Sequence, residues 1–158
     1  MASILPSRPR QFGPRKSFAI VASQYHPTLV KGLIDHARNE FEVIGPGTAV
    51  HLYEVPGAFE IPLVVQEVAS KGGVDGIVAL GVIIQGATAH AEFIGRVVTE
   101  SLQRIALNNR LPVIHEVLLL QNEEQARQRC LEEEINRGTE AARVAVRMAQ
   151  IMGEIVRR

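Results

Sequence analysis

Residues 82–94 read VIIQGATAHAEFI, and the change of character inside this stretch decides how the whole chain is read. Its first residues end the run VDGIVALGVII at 74–84, almost unbroken in apolar side chains, the pattern of a strand covered on both faces in a parallel sheet. Gln85-Gly86 interrupts the run, the chain turns amphipathic, and a long helix is expected over about 89–108. A doubly buried strand, a short loop and a helix make the unit from which layered α/β domains are built.

The same unit recurs on both sides. Residues 16–23, KSFAIVAS, form a short apolar strand, and beyond Gln24-Tyr25-His26-Pro27 a helix is expected from Thr28 with Leu29, Val30, Leu33, Ile34 and Ala37 on one stripe. Gly45-Pro46-Gly47 breaks that helix, AVHLYEV alternates as a strand to Val55, and after Pro56-Gly57 a helix carries Ile61, Val64, Val65 and Val68. Downstream, LPVIHEVLLL gives a fourth strand and NEEQARQRC a helix; 138–157 gives a last helix with Ala141, Val144, Ala145, Met148 and Ile151 on one stripe. The expected fold is α/β, a three-layer αβα sandwich of flavodoxin-like type with a four-stranded parallel sheet, occupying 16–158 behind an N-terminal arm at 1–15. Ligands of such sheets bind beyond the carboxyl ends of the strands. Tyr25, PGAFE, QGATAH and QNEEQ all fall there, so one ligand could touch all four loops.

The totals exclude several classes of partner. With 158 residues and 17 basic against 17 acidic side chains, the chain has the size of one domain and no global field toward nucleic acid or an anionic membrane. Cys130 is the only cysteine, which excludes an internal disulfide framework and a cysteine metal cluster and fits a reducing compartment. No apolar run approaches the length of about 18 residues that a membrane span needs, and no secretory signal opens the chain. The expectation is a soluble intracellular protein whose basic, proline-containing arm is flexible or extended.

At QGATAH, Gly86 permits close backbone approach, and the amides of residues 87 and 88 would open a helix, the arrangement that holds phosphate. Thr88 can add a hydroxyl donor or simply cap the helix. His90 follows in the first helical turn; an imidazole is the usual proton carrier near neutrality, although a lone histidine is more often structural or merely exposed. Glu60 either complements a helix dipole or accepts hydrogen bonds from ligand hydroxyls. Tyr25 either packs or stacks on a flat heterocycle. Arg127 and Arg129 lie on a polar helix where solvated charge is the ordinary outcome, but either could bind phosphate bidentately. No zinc spacing, P-loop or dinucleotide fingerprint is present.

Taken in order, VPGAFEIP, LGVIIQGATAH, PVIHEVLLLQNEEQARQR and NRG before an alanine-rich helix resemble the lumazine synthase family, over nearly the whole chain from about Lys16 to Ile151. The resemblance implies a transferase of riboflavin biosynthesis. It would condense 5-amino-6-(D-ribitylamino)uracil with 3,4-dihydroxy-2-butanone 4-phosphate, releasing 6,7-dimethyl-8-ribityllumazine, phosphate and water, with no metal or redox cofactor. It implies that Tyr25 stacks on the pyrimidine, that Ala58, Phe59 and Glu60 line the ribityl-pyrimidine pocket, and that Val82, Ile83 and Ile84 supply backbone contacts. Ala87 and Thr88 would hold the phosphate with Arg129 as cationic partner, and His90 falls on the catalytic histidine.

Three positions depart from the family pattern: Gln85 replaces an arginine, His115 an aromatic residue that it could imitate by stacking, and Arg137 a lysine. The competing readings are a non-catalytic paralogue that binds flavin or lumazine or serves as a shell protein, and a flavodoxin-type electron carrier, which the PGAFEIP turn does not fit. The family also implies a cytoplasmic homopentamer whose active sites are shared between neighbours, with the arm adding a strand to the next subunit's sheet. Where shell-forming members carry a Gly-Thr-Lys-x-Gly segment, Leu131, Glu132, Glu133, Glu134 and Ile135 stand here. This acidic stretch is expected to continue the preceding helix and so to favour isolated pentamers over decamers or 60-subunit shells.

Overall fold

A computed structural model describes residues 4–11 and 13–157; residues 1–3 and 12 of the arm and the terminal residue 158 lie outside the described part. Strands β1 (Ser17–Ser23), β2 (Ala49–Val55), β3 (Gly76–Ile84) and β4 (Val113–Leu120) form one sheet in the order β2-β1-β3-β4, parallel throughout. Helices α1 (Pro27–Ile44), α2 (Ile61–Lys71), α3 (His90–Asn109), α4 (Glu123–Cys130) and α5 (Arg137–Val156) surround it, and a 3-10 turn at Ala58–Glu60 introduces α2.

The period of two in the strands sorts their side chains into two cores. Phe18, Ile20 and Ala22 of β1, Val78, Leu80 and Val82 of β3, and Ile114, Leu118 and Leu120 of β4 pack against α1, α4 and α5. Ala19 and Val21, Ile77 and Ala79, and Val117 face the other way, onto α2 and α3. The sheet is therefore the middle of three layers, as the alternation of elements predicts. The edge strand β2 is covered mainly on one side, which is why it alternates in sequence while β3 does not. Among the described residues no helix is long and apolar enough to cross a membrane.

The segment after α4 corrects the expected continuation of that helix. α4 stops at Cys130, residues 131–135 turn, and the Asn136 side chain accepts the amides of Gly138 (2.9 Å) and Thr139 (3.3 Å) at the start of α5. Asn136 also donates Nδ2 to the Glu132 carbonyl at 3.1 Å, tying the two helix ends together. A side chain that satisfies free amides at a helix start outweighs the helix preference of three glutamates. The new helix begins hard against α1: a Cβ on Gly138 would lie 2.1 Å from the Leu33 carbonyl oxygen.

The described part of the arm forms no strand or helix and lies on its own chain. Arg8 and Arg143 both donate to the Glu40 carboxylate at 2.7 Å, and Arg143 also donates to the Pro6 carbonyl. Burial by itself would raise the Glu40 carboxyl, but these hydrogen bonds and charges outweigh it and hold it below the usual carboxylate range. Glu116, whose place on β4 turns it toward the α5 layer, lacks such compensation. Burial and the nearby Glu140 push it up to about 8 against the opposing Arg137.

Two predictions follow from these contacts. Gly138→Ala forces a methyl group into rigid backbone, so it should destabilise by about 1–3 kcal/mol or more, the range typical of overpacking, read as a lower urea midpoint at unchanged slope. Glu116 keeps its proton in the folded chain when the unfolded chain has lost it, so stability is full below the unfolded pKa and falls as pH rises toward about 8. The slope should reach about 1.4 kcal/mol per pH unit at most. Chemical denaturation of Glu116→Gln should show that part of the slope removed.

Candidate active site

At the carboxyl ends of β1, β2 and β3 the loops surround a cavity of about 400 Å³. The first wall is made where β1 ends. Gln24 donates its amide to the Val55 carbonyl at 2.7 Å, prolonging the ladder by one residue, and the chain then turns through His26 in a left-handed conformation, φ 55°. That turn lets the His26 carbonyl accept the amides of Leu29 and Val30, both at 3.1 Å, and Pro27 starts α1. A non-glycine residue with positive φ is strained, and its place here is at the rim of the cavity. Tyr25 is consequently thrown outward, 67% exposed, with its ring edge-on to His26 at 4.8 Å between centroids.

The second wall is the 3-10 turn. Gly57 enters it with extended backbone, and Glu60 donates its amide back to the Gly57 carbonyl. A Cβ at position 57 would lie 2.9 Å from the Glu60 carboxylate, so glycine gives that carboxylate its room. Phe59 is 60% exposed beside it. Two large aromatic side chains, Tyr25 and Phe59, thus line one cavity without being covered, which leaves their faces available to a planar ligand.

The third wall is drawn from residues 82–94. Val82 is buried, Ile83 and Ile84 are half-buried as β3 emerges from the layers, and the Gln85 amide reaches the Leu120 carbonyl at 2.8 Å. The Gln85 side chain bonds Glu92 at 2.9 Å. Thr88 and His90 are both exposed and both line the cavity. Thr88 is no cap: α3 begins at His90 behind Ala89, without a side-chain acceptor for its first amides. Those amides have no intrahelical partner and carry the positive end of the helix dipole. The site therefore combines aromatic faces, a carboxylate, a hydroxyl beside a helix start and an imidazole.

Of the residues singled out in sequence, Tyr25, Ala58, Phe59, Glu60, Val82, Ile83, Ile84, Thr88 and His90 meet at this cavity, and Ala87 stands between two of its lining residues, Gly86 and Thr88. The loop after β4 does not reach it, so three of the four loops converge rather than all four. His115 lies on β4. Its Nδ1 accepts the Val117 amide at 3.2 Å, and its Nε2 meets the Thr99 hydroxyl at 2.7 Å, which in turn donates to the Gly95 carbonyl. Burial lowers its pKa. Arg129 sits in α4 with a buried Nε that has no hydrogen-bond partner among the described residues, and Arg137 is 3% exposed and ion-paired with Glu140. None of these three lines the cavity of its own chain. His26 also lines the cavity, and its only mark in the sequence is its place before Pro27.

Residues 15–153 match the 6,7-dimethyl-8-ribityllumazine synthase family. The chain is 39% identical over 145 residues to the 6,7-dimethyl-8-ribityllumazine synthase of Burkholderia multivorans, covering 91% of this chain and 82% of that one. It is 36% identical over 140 residues to the protein of the same name from Pediococcus pentosaceus, covering 88% and 90%. Among solved structures, a de novo designed Rossmann fold protein superposes with a TM-score of 0.42 at 14% identity, over 71% of this chain and 91% of that one. Motif order, cavity and match over most of the length agree, and the chain belongs to the 6,7-dimethyl-8-ribityllumazine synthase family.

Proposed function

We propose that this chain is a transferase that condenses 5-amino-6-(D-ribitylamino)uracil with 3,4-dihydroxy-2-butanone 4-phosphate to 6,7-dimethyl-8-ribityllumazine, in the cytoplasm. The observation that carries the proposal is the convergence of Tyr25, Phe59, Glu60, Thr88 and His90 on one cavity in a member of that family. The pyrimidine lies between the aromatic faces of Tyr25 and Phe59 above Ala58. Glu60 accepts hydrogen bonds from the ribityl-pyrimidine, and the backbone of Val82, Ile83 and Ile84 holds its edge. The phosphate of the second substrate is held at Ala87, Thr88 and the start of α3, where unpaired amides and the helix dipole favour an anion.

His90 stands next to that phosphate end. As the uracil amine attacks the ketone carbon, a proton must leave the nitrogen and another must reach the departing oxygen; one imidazole can do both in turn. Elimination of phosphate and ring closure need further transfers over the same short distance. Holding the two substrates in register supplies much of the acceleration, since orientation alone is worth about 7–11 kcal/mol in favourable cases.

The reading includes a homopentamer in which Arg129 and His115 serve the cavity of a neighbouring copy, Arg129 on phosphate and His115 against the pyrimidine. Arg137, buried and ion-paired with Glu140, belongs to the same set of substrate-facing residues in this reading. Supporting this, none of the three lines its own chain's cavity, while Phe93, Val97 and Leu119 leave an apolar surface on α3 and β4 for a neighbour to cover. Because residues 131–135 turn instead of continuing α4, only the clustered charge of Glu132, Glu133 and Glu134 disfavours larger shells.

His90→Ala should lower kcat by about 100-fold, the low end of acid-base catalysis, with the fold intact by circular dichroism. A kcat equal to the parent's across pH 6 to 8 would remove His90 from the proton path. Arg129→Ala should chiefly raise KM for the butanone phosphate. If sites are shared around a cyclic ring, co-expressed His90→Ala and Arg129→Ala chains, assayed at butanone phosphate far below the raised KM, should regain activity in about a quarter of their sites, against almost none for either alone. No recovery in mixed rings, co-purified through a different affinity tag on each chain, would place Arg129 and His90 in one subunit's site.

A further inference from the structure

A second cavity, of about 570 Å³, lies at the other end of the sheet, between the N-terminal arm and the last turns of α5, and shares no lining residue with the first. Two hydrogen bonds hold its roof: Arg143 Nη1 to the Pro6 carbonyl at 2.7 Å and Gln150 Nε2 to the Arg10 carbonyl at 2.6 Å. Its floor is the stripe Arg143, Arg147, Gln150 and Glu154, which recurs at helical spacing on α5. Five cationic side chains line it against one carboxylate, Glu154. Lys16 is paired with Asp75 and Arg143 with Glu40, whereas Arg10, Arg147 and Arg157 have no ion pair among the described residues.

Three unpaired guanidinium groups less one carboxylate leave two surplus positive charges in a chain whose formal net charge is zero. Solvated singly, such arginines are ordinary surface charge. Gathered into one concavity, they raise the potential at a single point and favour an anion there. The planar donor fork of arginine fits phosphate bidentately, and three such forks lining one cavity can share the oxygens of two linked phosphate groups. Pro6, Pro9, Val144 and Met148 complete the wall with apolar surface.

We propose that this cavity binds a diphosphate group, free or esterified, through Arg10, Arg147 and Arg157. The proposal does not rest on the reaction assigned above.

Calorimetric titration of the full chain with inorganic pyrophosphate at low ionic strength tests it, with ADP as the esterified arm. Binding should weaken at least tenfold in Arg147→Ala and in Arg10→Ala and stay unchanged in Arg129→Ala, while Arg147→Ala keeps its condensation activity. Tighter binding of ADP than of pyrophosphate assigns an esterified ligand, and the reverse order a free one. Equal affinity in the parent and both arginine variants overturns the site. Loss in Arg129→Ala with retention in Arg147→Ala overturns it too, by assigning the anion to the phosphate end of the first cavity. Both substituted side chains are exposed, and unchanged melting temperatures secure the comparison.

Discussion

The pairing of β1 with β3, from Phe18 opposite Gly76 to Ala22 opposite Leu80, is the constraint on which the rest of the molecule depends. It places β1 in the interior of the sheet with β2 on its other side, although β2 follows it directly in the chain. The connection leaving β1 must therefore pass over one face, through α1, and the one leaving β3 over the opposite face, through α3. At the carboxyl ends the two loops diverge, and the gap between them is the cavity. Tyr25 and His26 form one lip and residues 82–90 the other. The site is thus a by-product of strand order before any chemistry is placed in it.

Much of this was legible because it is written in periodicity. The doubly apolar run at 74–84 becomes β3 apart from its first two residues. Asp75 is withdrawn there because its carboxylate accepts the Ser17 amide at 2.8 Å and its own amide donates to the Ser17 carbonyl. The helix expected over about 89–108 is α3, displaced by one residue. What stayed hidden was lateral order and local strain. The loop after β4 looked equivalent to the other three along the chain, yet β4 is an edge strand with β3 between it and β1. The positive φ of His26 leaves no mark in composition, and neither does the layer in which Arg129 or Arg137 lies. The turn at 131–135 is hidden because three glutamates favour a helix, while Asn136, one residue beyond, starts a new helix by binding its first amides.

Glu40, which is buried, and Glu116, which is half-buried, show how differently the same group can be accommodated. Glu40 keeps its charge because two guanidinium groups reach it, and in doing so it fastens the arm to α1 and α5. Glu116 shares Arg137 with Glu140, and one cation between two carboxylates does not support a second negative charge in a poorly solvated place. A charged Glu40 acts as a clasp between elements, whereas Glu116 is better regarded as a neutral filler whose proton belongs to the fold.

His115 carries a different consequence. The Val117 amide occupies Nδ1, which fixes the proton on Nε2, and that proton is directed at Thr99. With both nitrogens engaged and burial disfavouring the cation, the ring has neither a donor nor an acceptor left to offer. In this setting burial lowers the pKa of the imidazole, and what the ring chiefly presents is its shape.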